Sequence, residues 1–473
     1  MARSSSVATV LALACGATLA LHVAGSSAAA QSTSIRNTHP QQPTTPPSRE
    51  DPLYYPFQGD ATTGLAALPE ESPEYLLQQV RDLHSSLKHE QALLVAEQLV
   101  ALVPSRPLAH YNHACVLARL RRTDDALAAL DRAVDTGWRE LRHTAYDLDL
   151  EPVRHHPAFR TILDRMKSLQ DAEAAPRGPL RTDDWTRITE ELQSEIPAVL
   201  LRDHVPGVSI ALLRGGEVVW SDGFGLQHDP DGAPMTGDAR FRLHAPVHML
   251  ALAASLQQQR QNDVDVAQAI LSAAAPRPVS DRYAPAIAVR HEVRRRPARR
   301  MRATPNDTFA MLRLIVEVTS GMSFADYCAS ELAAADAMSL AFDEQQVAPV
   351  RGHSRLGTPL PTRPSDPGAT VLVTAVGLGH LVCSMATGAI GADLGLLYDE
   401  LASTPGLPAE GAMALERTRT EDGRRYQLTG EHDGVGCLVR WYPESEIGVV
   451  VLYNGQGGHR AADRIASLAL GGH

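Results

Sequence analysis

The sequence predicts two folded parts: an all-α N-terminal region, and a C-terminal α+β domain with an antiparallel sheet, flanking helices and a helical subdomain. Three observations carry this prediction. Small and apolar residues recur at a spacing of 34 residues in the first part. Alternating apolar and polar residues mark a β-hairpin near each end of the second part. Helical patterns fill the sequence between these hairpins, so we expect the two ends to complete one sheet.

Residues 1–30 have the pattern of a secretory signal peptide. Arg3 precedes an apolar run that ends in "SSAAAQ", which predicts cleavage near Ala30. An uncleaved anchor and a lipoprotein signal at Cys15 are the alternatives. No later segment is apolar over the length needed to span a bilayer. We therefore expect an exported protein, periplasmic or extracellular, whose mature chain has no transmembrane segment.

Residues 31–60 are polar and proline-rich, which predicts a disordered linker. A helical domain is predicted over 61–170. Four positions in it recur 34 residues apart: Ala92 and Ala126, Ala96 and Leu130, Leu99 and Ala133, Pro104 and Trp138. This skeleton resembles tetratricopeptide repeats, in which small side chains let paired helices approach closely. The resemblance implies a protein or peptide partner, and a purely structural role is the alternative.

A short linker at 171–181 leads into the C-terminal domain, 182–473. The stretch "GVSIALLRGGEVVWSDGFG" predicts a hairpin that turns at Gly215-Gly216. The stretch "CLVRWYPESEIGVVVLYNG" predicts a second hairpin that turns at Pro443 to Glu446. Helices are predicted over Pro246–Gln259, Thr308–Thr319, Ser323–Ala335 and about His459 to Leu470.

Composition excludes several classes of function. The formal net charge of −11 argues against general binding of nucleic acid. Cys115, Cys328, Cys383 and Cys437 are scattered without metal spacing, and we expect them to be buried single thiols. No phosphate loop or paired Cys-x-x-Cys is present, and we expect no metal and no cofactor. The lysines are Lys88 and Lys167, so the C-terminal domain contains no ammonium group.

Five segments carry a resemblance to a known superfamily. In chain order they are "VPGVSIALLRGGEVVWSDGFG", "MTGDARFRL", "NDTFAMLRLIVEVTSGMSFADYCASEL", "PGATVLVTAVGLGHLV" and "WYPESEIGVVVLYNG". The chain from about Trp185 to Leu470 resembles the serine β-lactamase and penicillin-binding-protein superfamily, in its class C-like branch of esterases and D-amino-acid peptidases. The resemblance implies the family's fold and a catalytic cleft.

The first two catalytic motifs of that family are altered here. The family opens a helix with a Ser and places a Lys three residues later, on the same helical face. The register through "FRL" puts Ala245 at the Ser and His248 at the Lys. The family's second motif, Tyr-x-Asn, falls on Thr304 to Asn306. Of its two functional side chains, only the amide of Asn306 remains.

The third motif, Lys/His-Thr-Gly, falls on Leu428, Thr429 and Gly430 when the register is carried back from Pro443 without gaps. An alternative register uses 432–434, "HDG", but it requires a deletion of four residues. In the favoured register the resemblance places two oxyanion-binding N–H groups on Ala245 and Glu431. Backbone donors survive the replacement of side chains, so the cleft keeps a capacity to bind a carbonyl or carboxylate.

Four ionisable or nucleophilic positions are thus replaced together, by Ala245, His248, Thr304 and Leu428. We expect no intact catalytic residue, and a non-catalytic pseudoenzyme that binds or scaffolds in the cell envelope. A cell-wall-type peptide would occupy the cleft through the backbone of Ala245 and Glu431 and the side chains of Asn306 and Thr429. Two alternatives remain open: an active serine hydrolase with an unrecognised nucleophile next to His248 or His432, and an adaptor that acts through the helical repeats.

One further segment departs from the family. Residues 289–302, "VRHEVRRRPARRMR", are rich in arginine. A solvated loop is one interpretation, and an electrostatic patch for anionic envelope polymers or an acidic protein is the other.

Overall fold

The computed structural model describes residues 72–174, 178–182, 184–228, 232–262, 265–266, 305–332, 349–361, 371–386 and 415–471. Several predictions lie outside these residues: the signal peptide over 1–30 with Cys15, the linker over 31–60, the arginine-rich segment 289–302 and Thr304.

Residues 72–174 are helical, as predicted. The elements are α1 (Pro73–Ser85), α2 (His89–Leu102), α3 (Pro107–Arg119), α4 (Thr123–Asp135), α5 (Leu141–Tyr146), a 3₁₀ turn (Leu148–Val153) and α6 (Pro157–Ala174). The Ser72 side chain caps α1 by accepting a hydrogen bond of 3.2 Å from the N–H of Tyr75. Ala92 and Ala126, the small residues that recur 34 residues apart, are both buried in the packing of these helices. These helices form one region with its own core, which we call the helical region.

The C-terminal domain is built on a six-stranded sheet with the order β2-β1-β8-β7-β6-β5. Its strands are β1 (Gly207–Arg214), β2 (Glu217–Gly225), β5 (Leu415–Thr420), β6 (Gly423–His432), β7 (Val435–Tyr442) and β8 (Ile447–Tyr453). All neighbours are antiparallel. Strand β1 pairs with β8, with Ile210 opposite Val451. The prediction that the two ends of the domain complete one sheet is therefore confirmed.

Both predicted hairpins are present. Gly215 and Gly216 join β1 to β2 with φ of +57° and +79°, a left-handed conformation that glycine adopts without strain. A 3₁₀ turn at Pro443–Ser445 joins β7 to β8. A separate short pair, β3 (Phe241–Leu243) and β4 (Val371–Val373), lies beside the main sheet.

Helices cover both faces of the sheet. They are α7 (Trp185–Asp203), α8 (Ala245–Asn262), α9 (Pro305–Ser320), α10 (Phe324–Tyr327) with a π turn (Cys328–Leu332), α11 (Ala375–Ala386) and α12 (His459–Leu470). Along β1, Ile210 and Leu212 join the core with α7 and α12, whereas Ala211 joins the core with α8, α9 and α11. This alternation is the two-residue period of a strand buried on both faces.

Residues 171–174 and 178–181 of the segment predicted as a linker make defined contacts. Helix α6 continues to Ala174, past the expected start of the linker. Further on, the N–H of Arg181 donates to the carbonyl of Leu470 over 2.8 Å, and its guanidinium donates to the carbonyl of Leu468 over 2.7 Å. The end of this segment is thus held on the last helix of the chain.

The helical region packs directly on the C-terminal domain. Leu356 is 3% exposed and belongs to a cluster with Leu76 and Leu99. The Arg106 guanidinium donates to the carbonyl of His204 over 3.2 Å, and the His204 ring donates in turn to the helical region. We call residues 349–361, which carry Leu356, the bridging segment.

The prediction of buried single thiols is confirmed, since Cys115, Cys328, Cys383 and Cys437 are all free and buried. Within the described ranges, no helix combines the length and apolar character required to cross a membrane.

Candidate functional site

The start of α8 is fixed by the strand before it. β3 pairs with β4, with Phe241 opposite Val373. Strand β3 ends before His244, whose carbonyl accepts the N–H of Val247 over 2.9 Å, and α8 begins at Ala245. The first N–H groups of a helix have no partner within the helix, and the helix dipole favours negative charge there. Ala245 therefore stands at a natural binding point for an oxyanion.

Strand β6 approaches this helix start at Gly430. A β carbon on Gly430 would lie only 2.3 Å from the Cβ of Ala245, so glycine is the residue that fits. The structure thus brings together two positions that the sequence placed in separate motifs, Ala245 of the first and Gly430 of the third. Ala245 packs directly on Gly430, and we call the surface around this contact, at the start of α8 and the end of β6, the α8–β6 cleft.

The position corresponding to the family's lysine lies one turn into α8. The ring of His248 contacts the ring of Phe309 on α9, with centroids 5.3 Å apart. The Ser255 hydroxyl ties the same helices together by donating to the carbonyl of Leu312 over 3.2 Å. Asn306 belongs to the first turn of α9. Helices α8 and α9 thus bring the first motif beside the helix that follows the second.

The remaining third-motif positions alternate along β6. Leu428 is fully buried in the apolar core and pairs with Val439, whereas the adjacent Thr429 is exposed. Glu431 follows Gly430, and its carboxylate accepts the N–H of Gly457 over 2.9 Å. Partial desolvation raises the pKa of this carboxyl group. The Glu431 side chain is therefore engaged by the loop before α12.

A pair of imidazole rings that the sequence did not predict lies beside Ala245. The rings of His244 and His432 meet edge to face with centroids 4.2 Å apart. His432 Nε2 lies 3.3 Å from a carboxylate oxygen of Asp433. The signal was available, because the register that places Gly430 against Ala245 also places His432, two residues on and on the same strand face, near His244.

The tight turn after His432 orients this pair. Asp433 and Gly434 have φ of +48° and +72° and join β6 to β7 in a two-residue turn, for which Asp-Gly is a favoured sequence. Gly352 of the bridging segment lies against this turn, since a β carbon there would fall 1.9 Å from the carbonyl oxygen of Asp433. The bridging segment thus contacts both the helical region and the edge of the cleft.

A cavity of about 350 Å³ lies elsewhere, at the start of α7, and is lined by Pro179, Leu180, Arg181, Asp184, Arg187, Ile188 and Glu191. Its charges are paired with one another, with Arg181 and Glu191 2.7 Å apart. It shares no lining residue with the α8–β6 cleft, and we do not assign the predicted motifs to it.

No protein-family model matches the sequence, and no curated protein matches it. Among solved structures, a D-alanine carboxypeptidase from Burkholderia cenocepacia is similar at 17% identity and a TM-score of 0.44, over 60% of this chain and 99% of its own. A β-lactamase/D-alanine carboxypeptidase from Pseudomonas syringae is similar at 16% identity and a TM-score of 0.45, over 60% of this chain and 98% of its own. An octameric penicillin-binding protein homologue from Pyrococcus abyssi is similar at 17% identity and a TM-score of 0.45, over 59% of this chain and 77% of its own.

Proposed function

We propose that this chain is an exported, non-catalytic relative of the β-lactamase-type serine hydrolases that uses the α8–β6 cleft to bind a ligand of the cell envelope. The observation that carries the proposal is the contact between Ala245 and Gly430. Where the resemblance expects a nucleophilic hydroxyl above the glycine of the third motif, the chain has a methyl group.

The supporting chemistry is the loss of every group that would activate a nucleophile. Removal of the catalytic Ser or its base in serine proteases costs about 10⁶ in rate. His248 is an imidazole beside an alanine, so it has no hydroxyl in the expected place to deprotonate. Leu428 replaces a cation with a buried alkyl side chain. Lys167 is the last lysine in the sequence, so the C-terminal domain has no ammonium group that could replace the family's lysine.

The cleft retains groups suited to a carboxylate or a polarised carbonyl. The N–H of Ala245 is at the start of an eighteen-residue helix, α8, where anions are favoured. His244 and His432 stand beside it and offer ring N–H donors. Thr429 is exposed on the same strand as His432, but it alternates with Gly430 and therefore lies on the opposite strand face. The ligand class that suits this set is a peptide with a free carboxylate, such as the D-Ala-D-Ala end of a cell-wall-type peptide.

Acylation separates binding from catalysis. We expect a fluorescent reporter penicillin to leave wild-type protein unlabelled, and an activated ester to be hydrolysed at the rate of buffer. The Ala245→Ser variant restores a hydroxyl one helical turn from His248, and we expect it to stay unlabelled as well, because the His248 ring packs on Phe309 and no lysine of the C-terminal domain can replace it. Labelling or turnover by the wild type would instead support an active hydrolase with another nucleophile.

Calorimetry tests the ligand. We expect an N-acetylated D-Ala-D-Ala peptide to bind the full chain, and its C-terminal amide to bind at least tenfold more weakly. His432→Gln should weaken binding of the free acid, and His155→Gln, an exposed histidine of the helical region, serves as the matched control. Equal binding of acid and amide, or no binding of either, contradicts a carboxylate site.

Partner binding by the helical region is a second candidate function. It is favoured by Leu87 and Leu94, which are 72% and 63% exposed. Leu94→Glu should abolish capture of a protein partner, while Val318→Glu, at a 51% exposed site on α9, should not. Deletion of 61–170 is unsuitable as a test, because it would expose the buried side chain of Leu356.

A further inference from the structure

A compact group of metal-ligating side chains lies in the helical region, apart from the α8–β6 cleft. The thiol of Cys115 on α3 and one carboxylate oxygen each of Asp147 and Asp149 all lie within 4.8 Å of one another. The two aspartates lie at and just after the end of α5, so two separate parts of the chain bring these groups together. Cys115 is 7% exposed, so the thiol faces the carboxylates rather than solvent.

An imidazole lies at the edge of this group, next to Asp149. The Nε2 atom of His84, on α1, lies 3.0 Å from the Oδ1 atom of Asp149. Its Nδ1 atom is buried and makes no hydrogen bond within the part of the chain that the structure describes. The ring of His89 stands 4.8 Å away, with its own buried Nδ1 atom also lacking a hydrogen-bond partner in that part of the chain. Four helical elements thus converge with one thiol, two carboxylates and neighbouring imidazoles.

The surroundings hold these side chains in place. Tyr111 donates a 2.6 Å hydrogen bond to the Oδ2 atom of Asp147, the same oxygen that lies 3.9 Å from the Cys115 sulfur. The other oxygen of Asp147 accepts the N–H of Asp149 over 2.9 Å. His143 Nε2 stands 3.5 Å from the Oδ2 atom of Asp147. Outer contacts of this kind orient ligands in metal sites and raise their affinity.

We propose that His84, Cys115, Asp147 and Asp149 form a binding site for a divalent transition-metal ion of the zinc class. A borderline-soft ion accepts thiolate, imidazole and carboxylate together, and hard ions such as Mg²⁺ take oxygen alone. Tetrahedral Zn²⁺ bonds of 2.0–2.3 Å place neighbouring ligand atoms about 3.3–3.8 Å apart. The thiol and the two carboxylate oxygens must therefore close by about 1 Å, and the His84 ring must move toward the thiol from its place beside Asp149.

Binding of the metal ion displaces the proton of the Cys115 thiol. The neutral Cys115 thiol gives up its proton to solvent as the metal–sulfur bond forms, and His84 exchanges its contact with Asp149 for the metal. Two carboxylates and one thiolate bring three negative charges to a dication, and the Arg119 guanidinium, whose Nε lies 3.9 Å from Asp149 Oδ1, offsets part of that charge. The site takes no part in the proposed ligand binding at the α8–β6 cleft.

Cobalt titration tests the proposal, because a cysteine thiolate on Co²⁺ gives a near-ultraviolet charge-transfer band. We expect the chelator-treated full chain to bind one Co²⁺ with that band and to lose it when Zn²⁺ is added. Cys115→Ser should abolish the band, and Cys328→Ser, which removes an equally buried thiol elsewhere, should retain it. Asp149→Asn and His84→Gln should weaken Co²⁺ binding by tenfold or more.

Circular dichroism of each variant checks the fold, and if Cys115→Ser does not fold, the Asp149→Asn and His84→Gln titrations decide. Absence of the band in the wild type overturns the proposal and leaves the group as a structural hydrogen-bond network. A band that persists in Cys115→Ser, or affinities unchanged in Asp149→Asn and His84→Gln, also overturns it.

Discussion

The contact between Gly430 and Ala245 makes a quantitative prediction for Gly430→Ala. The new β carbon would lie 2.3 Å from the Ala245 Cβ, whereas ordinary contact begins at 3.4 Å, so strand β6 and helix α8 must separate by about 1.1 Å. Overpacking of this size costs about 1–3 kcal/mol. We expect the free energy of unfolding to fall by that amount and the α8–β6 cleft to widen.

A second substitution should reverse the effect. In Ala245→Gly the clashing methyl is absent, and the backbone Cα of residue 245 stands 3.6 Å from the new β carbon, an ordinary contact. The double variant Ala245→Gly/Gly430→Ala should therefore be more stable than Gly430→Ala alone. The double-mutant cycle should give a favourable coupling of about 1–3 kcal/mol.

Urea unfolding measures both quantities. Trp441 is buried in the sheet and stacks on Tyr426, so its fluorescence reports on the C-terminal domain. The Ala245→Gly variant is the control for the loss of a methyl group at the helix start. A Gly430→Ala change below about 0.5 kcal/mol, the range of surface substitutions, or a coupling near zero, would show that the strand and the helix do not meet as described.

Three further predictions concern the packing around the site and the fold. Leu356→Ala should cost about 2–5 kcal/mol in urea unfolding because Leu356 is 3% exposed, whereas Leu94→Ala, at 63% exposed, should change stability by less than about 0.5 kcal/mol. Leu428→Lys should destabilise by more than about 3 kcal/mol because it buries an ammonium group without a partner, and exposed Thr429→Lys should be tolerated, as thermal melts will show. Burial lowers the pKa of His204, so the folded state favours the neutral imidazole. The stability that this neutral form contributes is fully present above the unfolded pKa of about 6.5. It is lost as the pH falls through the lowered pKa of the folded state. His204→Asn should flatten this part of the pH dependence of unfolding between pH 7 and 5, and an unchanged slope would contradict it.

The parts of the fold that follow from the sequence are those with a local pattern. The apolar run in "GVSIALLR", the turn at Gly215-Gly216 and the alternation in "EVVWSDGFG" are enough to place β1, its turn and β2. The apolar residues of β7 and β8 place those two strands, which are buried along their whole length, whereas β2 is only partly buried. The proximity of Gly430 to Ala245 also follows from the sequence, because an ungapped register places the two residues in motifs that share one cleft.

Other features have no local pattern. The Ser354 side chain donates to Glu74, 280 residues away in sequence, and nothing near either residue indicates the contact. The edge-to-face contact of His244 and His432 likewise depends on the turn at Asp433-Gly434. The cluster around Cys115 was missed because its ligands lack metal-motif spacing, and the fold alone brings the aspartates to the thiol.

The bridging segment makes the C-terminal domain depend on the helical region for its packing. Leu356 is buried by residues of the helical region, and Gly352 lies against the turn that carries Asp433 at the cleft. A rearrangement that joined the C-terminal domain to an unrelated leader would leave an apolar side chain in water and release the segment that supports the cleft wall. The two regions therefore share part of one core, and we expect a substitution at Leu76 or Leu99 to change the packing of Leu356 and of the segment beside the cleft.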